Sequence, residues 1–284
     1  MRDWLSRFLP KKWRKTSPVI PVIRMTGPIG LGGSPLKSGL SLATIAGPLE
    51  KAFSHKQAPA VAISINSPGG SPVQSRLIFE RIRQLAEEKE KDVFVFVEDV
   101  AASGGYMIAL AGDEIIADPS SVVGSIGVVS AGFGFVDAIA KLGVERRVYT
   151  SGTRKAVLDP FRPENEGDIE HLKALQSEVH EIFIEMVKLR RGEVLADDED
   201  LFSGLFWSGK SGLQLGLVDR LGDMRSVLKE KFGKDVKLKL VEASKPFFAR
   251  RLVGQMTGLP NSDTMARDLV AVAEERALWQ RYGF

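Results

Sequence analysis

The chain has 284 residues, of which 44% are hydrophobic and 26% are charged; this is enough for one large or two moderate domains and excludes an intrinsically disordered protein. The absence of cysteine excludes disulfides, thiolate metal sites and a cysteine nucleophile, and it leaves the cellular compartment open. A net charge of +3 argues against a nucleic-acid partner unless basic residues cluster on one face, and the cluster of interest is at the N-terminus.

The first segment, residues 1–17, is basic and amphipathic. Within residues 1–15, apolar side chains recur at helical spacing beside six basic residues and one acidic residue. This pattern is typical of a helix that lies on an anionic membrane surface, and equally of a basic tail or a helix packed on a neighbouring subunit. Because this region has no apolar run long enough for a signal peptide or a spanning helix, we expect a cytoplasmic or peripherally membrane-associated protein.

Short runs of β-branched residues alternate with helical patterns in the next part of the chain. Strands are predicted at 19–24, 60–65 and 92–97, and helices are predicted from Val73 to beyond Leu85 and at 104–111. This alternation predicts an α/β fold with a mostly parallel, buried sheet and flanking helices.

The second half of the chain carries one long helical pattern among shorter elements. The predicted elements are buried turns and strand at 122–140, a strand at 145–149, an amphipathic helix at 168–189, a short helix at 208–215, an extended piece at 217–219, a strand at 236–241 and a helical segment at 264–282. We therefore divide the chain into the N-terminal segment 1–17, a main domain at 18–243 and a helical extension at 244–284.

Two of the predicted strands lead through a turn into a helix. The turn after the strand at 60–65 carries Gly69 and Gly70, and the turn after the strand at 92–97 leads to Ser103. Because ligands of open α/β sheets bind outside the carboxyl ends of the strands, we expect both turns to line one crevice.

Ser103 is a candidate nucleophile, because the glycines that follow it at a helix start let backbone amides and a substrate approach its hydroxyl. Taken alone, the pattern favours a helix N-cap, and the Gly69-Gly70 pair favours a simple turn. Taken together, the two turns offer what acyl transfer requires. Ser103 would attack, and the amides of Gly69 and Gly104 would bind the developing oxyanion.

A nucleophilic serine needs a base, and the chain has three histidines, His55, His171 and His180. The last two lie about half a turn out of phase on one predicted helix, and none follows a strand end, so we expect all three at the surface. A lysine can serve instead if burial lowers its pKa from about 10.4. Lys155, between the predicted strand at 145–149 and an apolar stretch, is the candidate, although the residues alone favour a solvated loop lysine.

Four motifs occur in a specific order and spacing. They are INSPGG at 65–70, AASGGY at 101–106, VGSIGV at 123–128 and SGTRK at 151–155. Together they closely resemble the signal peptide peptidase A family of serine-lysine peptidases, family S49, and the segments at 206–209 and 216–219 look like a later motif of that family. The resemblance spans roughly residues 19–232 and implies a Clp/crotonase-like fold with a repeated ββα core.

The resemblance also implies roles for individual residues. Ser103 would be the nucleophile, Lys155 the base, and Ser125 a hydroxyl that orients the lysine, with oxyanion donors at Gly69 and Gly104. Members of this half-length type form homo-oligomers in which neighbouring chains share each site, and they need no metal or other cofactor. They cut remnant signal peptides, so the implied substrates are apolar or unfolded peptides. The lack of a recognisable membrane anchor departs from the family pattern and leaves the substrate open.

Three other interpretations compete with a serine-lysine peptidase. A Clp-type peptidase would need a histidine soon after the nucleophile, and there is none between Ser103 and Tyr149. A crotonase-like acyl-CoA enzyme would use paired amides without a serine nucleophile. A catalytically silent oligomeric scaffold would need none of the three polar side chains.

Overall fold

The apolar runs form one sheet in the computed structural model, which describes residues 17–30, 39–242, 272–273 and 275–284. Its strands are β1 (Val19–Thr26), β2 (Ala60–Ser67), β3 (Asp92–Ala102), β4 (Glu114–Ala117), β5 (Val122–Gly124), β6 (Phe206–Ser208), β7 (Arg220–Leu221) and β8 (Lys237–Leu240). The order along the sheet is β6-β5-β3-β2-β1-β8, and β4 pairs with β3 and β7. The β5–β6 pair is antiparallel and the other pairs are parallel, which confirms the predicted α/β fold.

Helices cover the faces of this sheet. They are α1 (Leu42–Phe53), α2 (Pro72–Lys89), α3 (Gly104–Ala109), α4 (Val136–Lys141), α5 (Glu166–Arg191), α6 (Gly209–Gln214) and α7 (Met224–Phe232). None of those within the described ranges is both long and apolar enough to cross a bilayer.

The core lies on both faces of the central strands. One apolar cluster packs α1, α2 and α3 against β1, β2 and β3, and it includes the fully buried Ile63 and Ile78. A smaller cluster on the other face packs Val227 and Leu228 of α7 against Phe94 and Ile116. Because β2 is buried on both faces along almost its whole length, its sequence is a continuous apolar run rather than an alternating one.

The predicted elements of the first half are present with small changes in their ends. β3 is longer than expected and continues to Ala102, because its last residues pair with β5 after the ladder with β4 has ended. The strand therefore delivers Ser103 directly into α3. The two strand-turn-helix units lie side by side, since β2 and β3 are neighbours in the sheet.

Residues 128–163, which we name the arm, depart from the prediction. The expected strand at 145–149 is wrong, because this stretch is exposed and pairs with no strand of the described residues. The expected burial of 122–140 holds only as far as Ile126, and α4 is a short exposed helix. The arm nevertheless has internal contacts, since the rings of Phe135 and Phe161 stack at 5.5 Å.

The long helix is confirmed as α5, and the late elements are confirmed as α6 and β8. The extended piece expected at 217–219 is not a strand, and β7 begins directly after it, at Arg220. The predicted helical segment at 264–282 is described only in part, and residues 275–280 of it are helical. The basic segment, apart from residue 17, lies outside the described residues.

Candidate active site

Ser103 sits at the junction of β3 and α3 in an unusual backbone conformation, with φ 51° and ψ −122°. Its amide donates to the carbonyl of Gly124 at 2.8 Å, and its own carbonyl accepts from Met107 at 3.0 Å. The side chain occupies the N-cap position yet makes no capping hydrogen bond. A positive φ is uncommon outside glycine and costs about 1–3 kcal/mol. The hydroxyl is therefore held out of the capping role and is left for another use.

The glycine turn after β2 packs directly on this junction. A Cβ on Gly69 would lie 2.9 Å from the Cβ of Ser103 and 3.0 Å from the amide nitrogen of Gly104. A Cβ on Gly104 would collide with the hydroxyl of Ser75 and would lie 3.4 Å from the amide nitrogen of Gly70. A side chain at either position would collide with its neighbours, because the backbone of the glycine turn and the backbone at the start of α3 approach each other so closely. The expectation that the two turns line one crevice is confirmed.

The amides at this junction differ in their availability. The Gly69 amide already donates to Ser67 Oγ at 3.2 Å. Those of Gly70 and Gly104 have no acceptor among the described residues, and both glycines line the cavity that contains Ser103. Sequence reasoning chose Gly69, and the neighbouring Gly70 was missed because a glycine pair gives no signal of which amide is left free.

Ser125 follows β5, which lies beside the end of β3 through the pair Ala102 and Gly124. It also has a positive φ, 54°, and its amide donates to the carbonyl of Leu205 at 2.7 Å. The residue is buried, and the hydroxyl of Tyr282 lies 3.2 Å from its Oγ. Ser125 is therefore fixed at the wall of the same cavity as Ser103.

The cavity has a volume of about 470 Å³ and is open to solvent. Ser103, Ser125 and Ser203 supply its hydroxyls, His180 and Arg281 supply further polar atoms, and apolar side chains from separate elements supply much of the remaining wall. These are Pro68, Pro72, Met107, Val128, Val129, Val179, Phe183 and Leu278. Such a mixture of a few convergent polar groups and an apolar lining is typical of a site for an apolar ligand.

Lys155 does not line this cavity. It is exposed on the arm, in a turn where its amide approaches the carbonyl of Gly152 at 3.4 Å. Its neighbours Arg154 and Ala156 line a different hollow. A single chain thus brings Ser103, Ser125 and the glycine amides together and leaves the predicted base outside.

The histidines were all expected at the surface, and only His171 is exposed. His180 is half-buried, lines the Ser103 cavity, and has its Nε2 3.0 Å from the carbonyl oxygen of Ile126. No strand end or motif in the sequence singles it out, and only the tertiary structure places it against the Ser125 turn. His55 is half-buried with an unpartnered Nδ1 and lies just after α1, away from the cavity residues.

Helix α3, which begins after Ser103, is anchored to the chain before β7. The hydroxyl of Tyr106 in α3 donates to the carbonyl of Leu217 at 2.8 Å, and burial raises the pKa of this phenol well above its usual range. Nearby, Arg191 holds Asp219 through two hydrogen bonds of 3.0 and 2.8 Å. These contacts join α3, the end of α5 and the turn before β7 into one support for the site.

Comparisons with known proteins bear on the family of this chain. The family model for peptidase family S49 matches residues 85–239, a range that includes Ser103, Ser125 and Lys155. The chloroplastic serine protease SPPA of Arabidopsis thaliana is 31% identical over 79% of this chain and 33% of its own length. A solved structure, that of a mutant of the 1510-N membrane-bound stomatin-specific protease, is 16% identical, covers 81% of this chain and all of its own, and has a TM-score of 0.44.

A Na(+)/H(+) antiporter NhaA of Brucella abortus is 60% identical over 98% of this chain. The chain spans only 39% of that protein, and the antiporter name describes the whole of it. The family predicted from the four motifs is confirmed by the match of its model to more than half of the sequence. The chain belongs to peptidase family S49.

Proposed function

We propose that this peptidase is a serine endopeptidase in which Ser103 of one copy is activated by Lys155 of a neighbouring copy. One observation carries the proposal: a strained, uncapped serine and two free amides share a cavity, while the lysine stands exposed on an arm outside it. The nucleophilic half of the site would be built within one chain, and we propose that Lys155 reaches it from a neighbouring copy.

In the proposed reaction, neutral Lys155 Nζ takes the proton of Ser103 Oγ as the oxygen attacks the peptide carbonyl. The negative charge that develops on the carbonyl oxygen is bound by the Gly70 and Gly104 amides, with Gly70 in place of Gly69 because the Gly69 amide is already engaged. A donor of this kind typically lowers the barrier by about 2.7–4 kcal/mol. The lysine then gives its proton to the leaving amine, and it later activates the water that hydrolyses the acyl-enzyme.

The arm supports assembly of several copies. No residue from 127 to 182 is buried, and the structure describes all of them. The arm exposes large apolar side chains, including Phe133 at 82%, Leu142 at 76% and Tyr149 at 90%. Exposed apolar surface on this scale marks an interaction site. A head-to-tail ring of identical copies would cover it and would also remove water from around Lys155, which favours the neutral amine that a base requires.

The substrate proposal follows from the cavity wall. Met107, Val179 and Phe183 offer apolar contacts, and Arg281 adds a cation to another part of the wall. From the apolar part of the wall we propose cleavage beside apolar residues of unfolded proteins or remnant signal peptides. The basic segment 1–15 would hold the protein on an anionic membrane. Replacing four of its six basic residues, those at 11, 12, 14 and 15, by glutamate should abolish flotation with phosphatidylglycerol vesicles. Unchanged flotation would refute this contact.

The test of the dyad uses Ser103→Ala and Lys155→Ala in the purified full chain. We expect both variants to lose cleavage of an apolar peptide, and to lose covalent labelling of residue 103 by a fluorophosphonate, while keeping the wild-type unfolding temperature. Lys173→Ala, on an exposed face of α5, is the matched lysine control and should remain active. Near-full turnover by Lys155→Ala would refute the dyad.

The same labelling separates the competing functions. A crotonase-like acyl-CoA enzyme needs no serine nucleophile, so its residue 103 would not be labelled. A silent scaffold would assemble normally but would neither react with the probe nor cleave any peptide. The uncapped hydroxyl of Ser103 favours the peptidase over both.

A further inference from the structure

Tyr282 places its hydroxyl between the two turns that build the cavity. The oxygen lies 3.2 Å from Ser125 Oγ and 3.3 Å from the carbonyl oxygen of Pro68, which precedes the glycine pair. The residue is only 8% exposed. A phenol buried at this point contacts both the serine that would orient the base and the turn that would bind the oxyanion.

The ring is fixed by its own packing. It meets Phe206 edge-on, with 5.1 Å between the ring centroids, and it shares a small apolar cluster with Val100 and Ala102 at the end of β3. Trp279, one turn earlier, packs against the same cluster. These contacts hold the hydroxyl in place, so its hydrogen bonds are made without further loss of side-chain freedom.

The directions of the two hydrogen bonds follow from the donor inventory. A carbonyl oxygen can only accept, and the phenol has a single proton. Both contacts are satisfied when Tyr282 donates to Pro68 O and accepts from the Ser125 hydroxyl. This arrangement turns the proton of Ser125 away from the cavity and leaves its lone pairs to accept a hydrogen bond.

We propose that Tyr282 is a positioning residue for the base, acting through Ser125. It fixes the Ser125 hydroxyl as an acceptor for an N–H of the Lys155 amine, so that the lone pair of the amine points at Ser103. The inference rests on the serine-lysine mechanism proposed above. It adds to that mechanism a residue from the end of the chain, which none of the four motifs contains.

The position of Tyr282 favours this role over a purely structural one. A ring that only filled space would need no polar partners, whereas this hydroxyl touches a polar atom of each active-site turn. Leu278 and Arg281 line the cavity beside it, so the same segment also forms part of the wall. The opposite role, in which Tyr282 blocks the place of the lysine, predicts an effect of opposite sign.

The test is a double-mutant cycle in the full-length chain with Tyr282→Phe, Ser125→Ala and the double variant. Phe keeps the ring that packs on Phe206, so we expect the fold and the oligomer to persist. Loss of the hydrogen bond between Tyr282 and Ser125 predicts a roughly three- to tenfold fall in kcat with KM unchanged. Because Tyr282 acts through Ser125, the double variant should be no slower than Ser125→Ala alone.

Tyr106→Phe is the matched control. It also removes a buried tyrosine hydroxyl with one carbonyl partner, but from the support below α3. We expect it to lower the unfolding temperature at least as much as Tyr282→Phe does. In the double variant with Ser125→Ala, the fold-change in kcat should equal the product of the fold-changes of the two single variants. Should Tyr282→Phe prove unstable, the cycle is measured below its unfolding temperature as the rate of fluorophosphonate labelling.

Three outcomes would overturn the inference. The first is a wild-type kcat for Tyr282→Phe. The second is an increase in kcat, which would mean that the tyrosine blocks the place of the lysine. The third is a double variant whose loss of kcat equals the product of the losses caused by Tyr282→Phe and Ser125→Ala. Failure of the serine-lysine mechanism is seen separately, because Ser103→Ala or Lys155→Ala would then keep full turnover.

Discussion

At the scale of single residues, Ser103 combines a positive φ with a side chain that makes no capping hydrogen bond. Such conformations persist only where the surroundings impose them, and they concentrate at functional sites. Here the surroundings are the β3–β5 pairing on one side and the glycine turn on the other. The strained backbone conformation of Ser103 is thus the one in which its hydroxyl is exposed to the cavity.

This strain is measurable. Ser103→Gly should be about 1 kcal/mol more stable than Ser103→Ala, because glycine adopts a positive φ without a steric cost while alanine retains it. Urea unfolding of the two inactive variants gives the difference. Equal stabilities would mean that the junction carries no strain.

Much of the site was predictable from the sequence at this scale, because Ser103, Ser125 and Gly104 sit in short motifs next to strand ends. What was not predictable depends on tertiary contacts. The engagement of the Gly69 amide by Ser67, the half-buried His180 and the approach of Tyr282 all involve neighbours brought together by folding. Tyr282 is 157 residues from Ser125, and no spacing rule connects them.

At the scale of elements, burial decides which predictions succeeded. β2 is buried along almost its whole length, β1 and β3 are largely apolar, and all three strands have partners on both sides, so their apolar runs correctly predicted strands. The stretch at 145–149 also has a strand-like composition, but a strand needs a partner, and the described residues offer none there.

Helix α7 offers a test of element stability through its N-cap. Asp223 accepts hydrogen bonds from the amides of Arg225 and Ser226 at 2.9 and 3.0 Å, and its contacts with Ser226 lower the pKa of this carboxyl. Asp223→Ala should reduce the free energy of unfolding by about 1 kcal/mol at neutral pH.

The pH dependence of this effect has a definite sign. Because the pKa of Asp223 is lower in the folded state, its ionic contribution is present above the unfolded-state pKa of about 3.9 and is lost as the pH falls through the folded-state value. Asp223→Asn keeps a capping oxygen without the charge, so its difference from wild type should shrink in acid. A difference independent of pH would refute the ionic part of the cap.

At the scale of the whole molecule, one chain divides into a well-packed sheet with its helices and an arm in which no residue as a whole is buried. In the proposed mechanism the sheet would supply the serines and amides, and the arm would supply the lysine. Activity should therefore depend on assembly, a dependence that the resemblance implied and that the exposed apolar surface of the arm supports.

Removing apolar groups from the arm tests this dependence. Phe133→Asp and Leu142→Asp alter side chains that are 82% and 76% exposed, so they should not change the unfolding temperature of a single chain. They should nevertheless shift the mass measured by light scattering towards the monomer and abolish cleavage. Leu189→Asp, at an equally exposed site outside the arm, 79%, should change neither property. Full activity of a monomeric variant would contradict a shared site.

The most direct measurement mixes two inactive variants. Ser103→Ala provides an intact lysine and Lys155→Ala an intact serine, so co-assembled oligomers contain some interfaces with both. With equal amounts and random assembly, we predict that about a quarter of wild-type activity returns. Ser103→Ala mixed with the double variant Ser103→Ala/Lys155→Ala serves as the control and should stay inactive. If co-assembled oligomers of the two single variants recovered no activity, Ser103 and Lys155 would not act across neighbouring copies, contrary to this account.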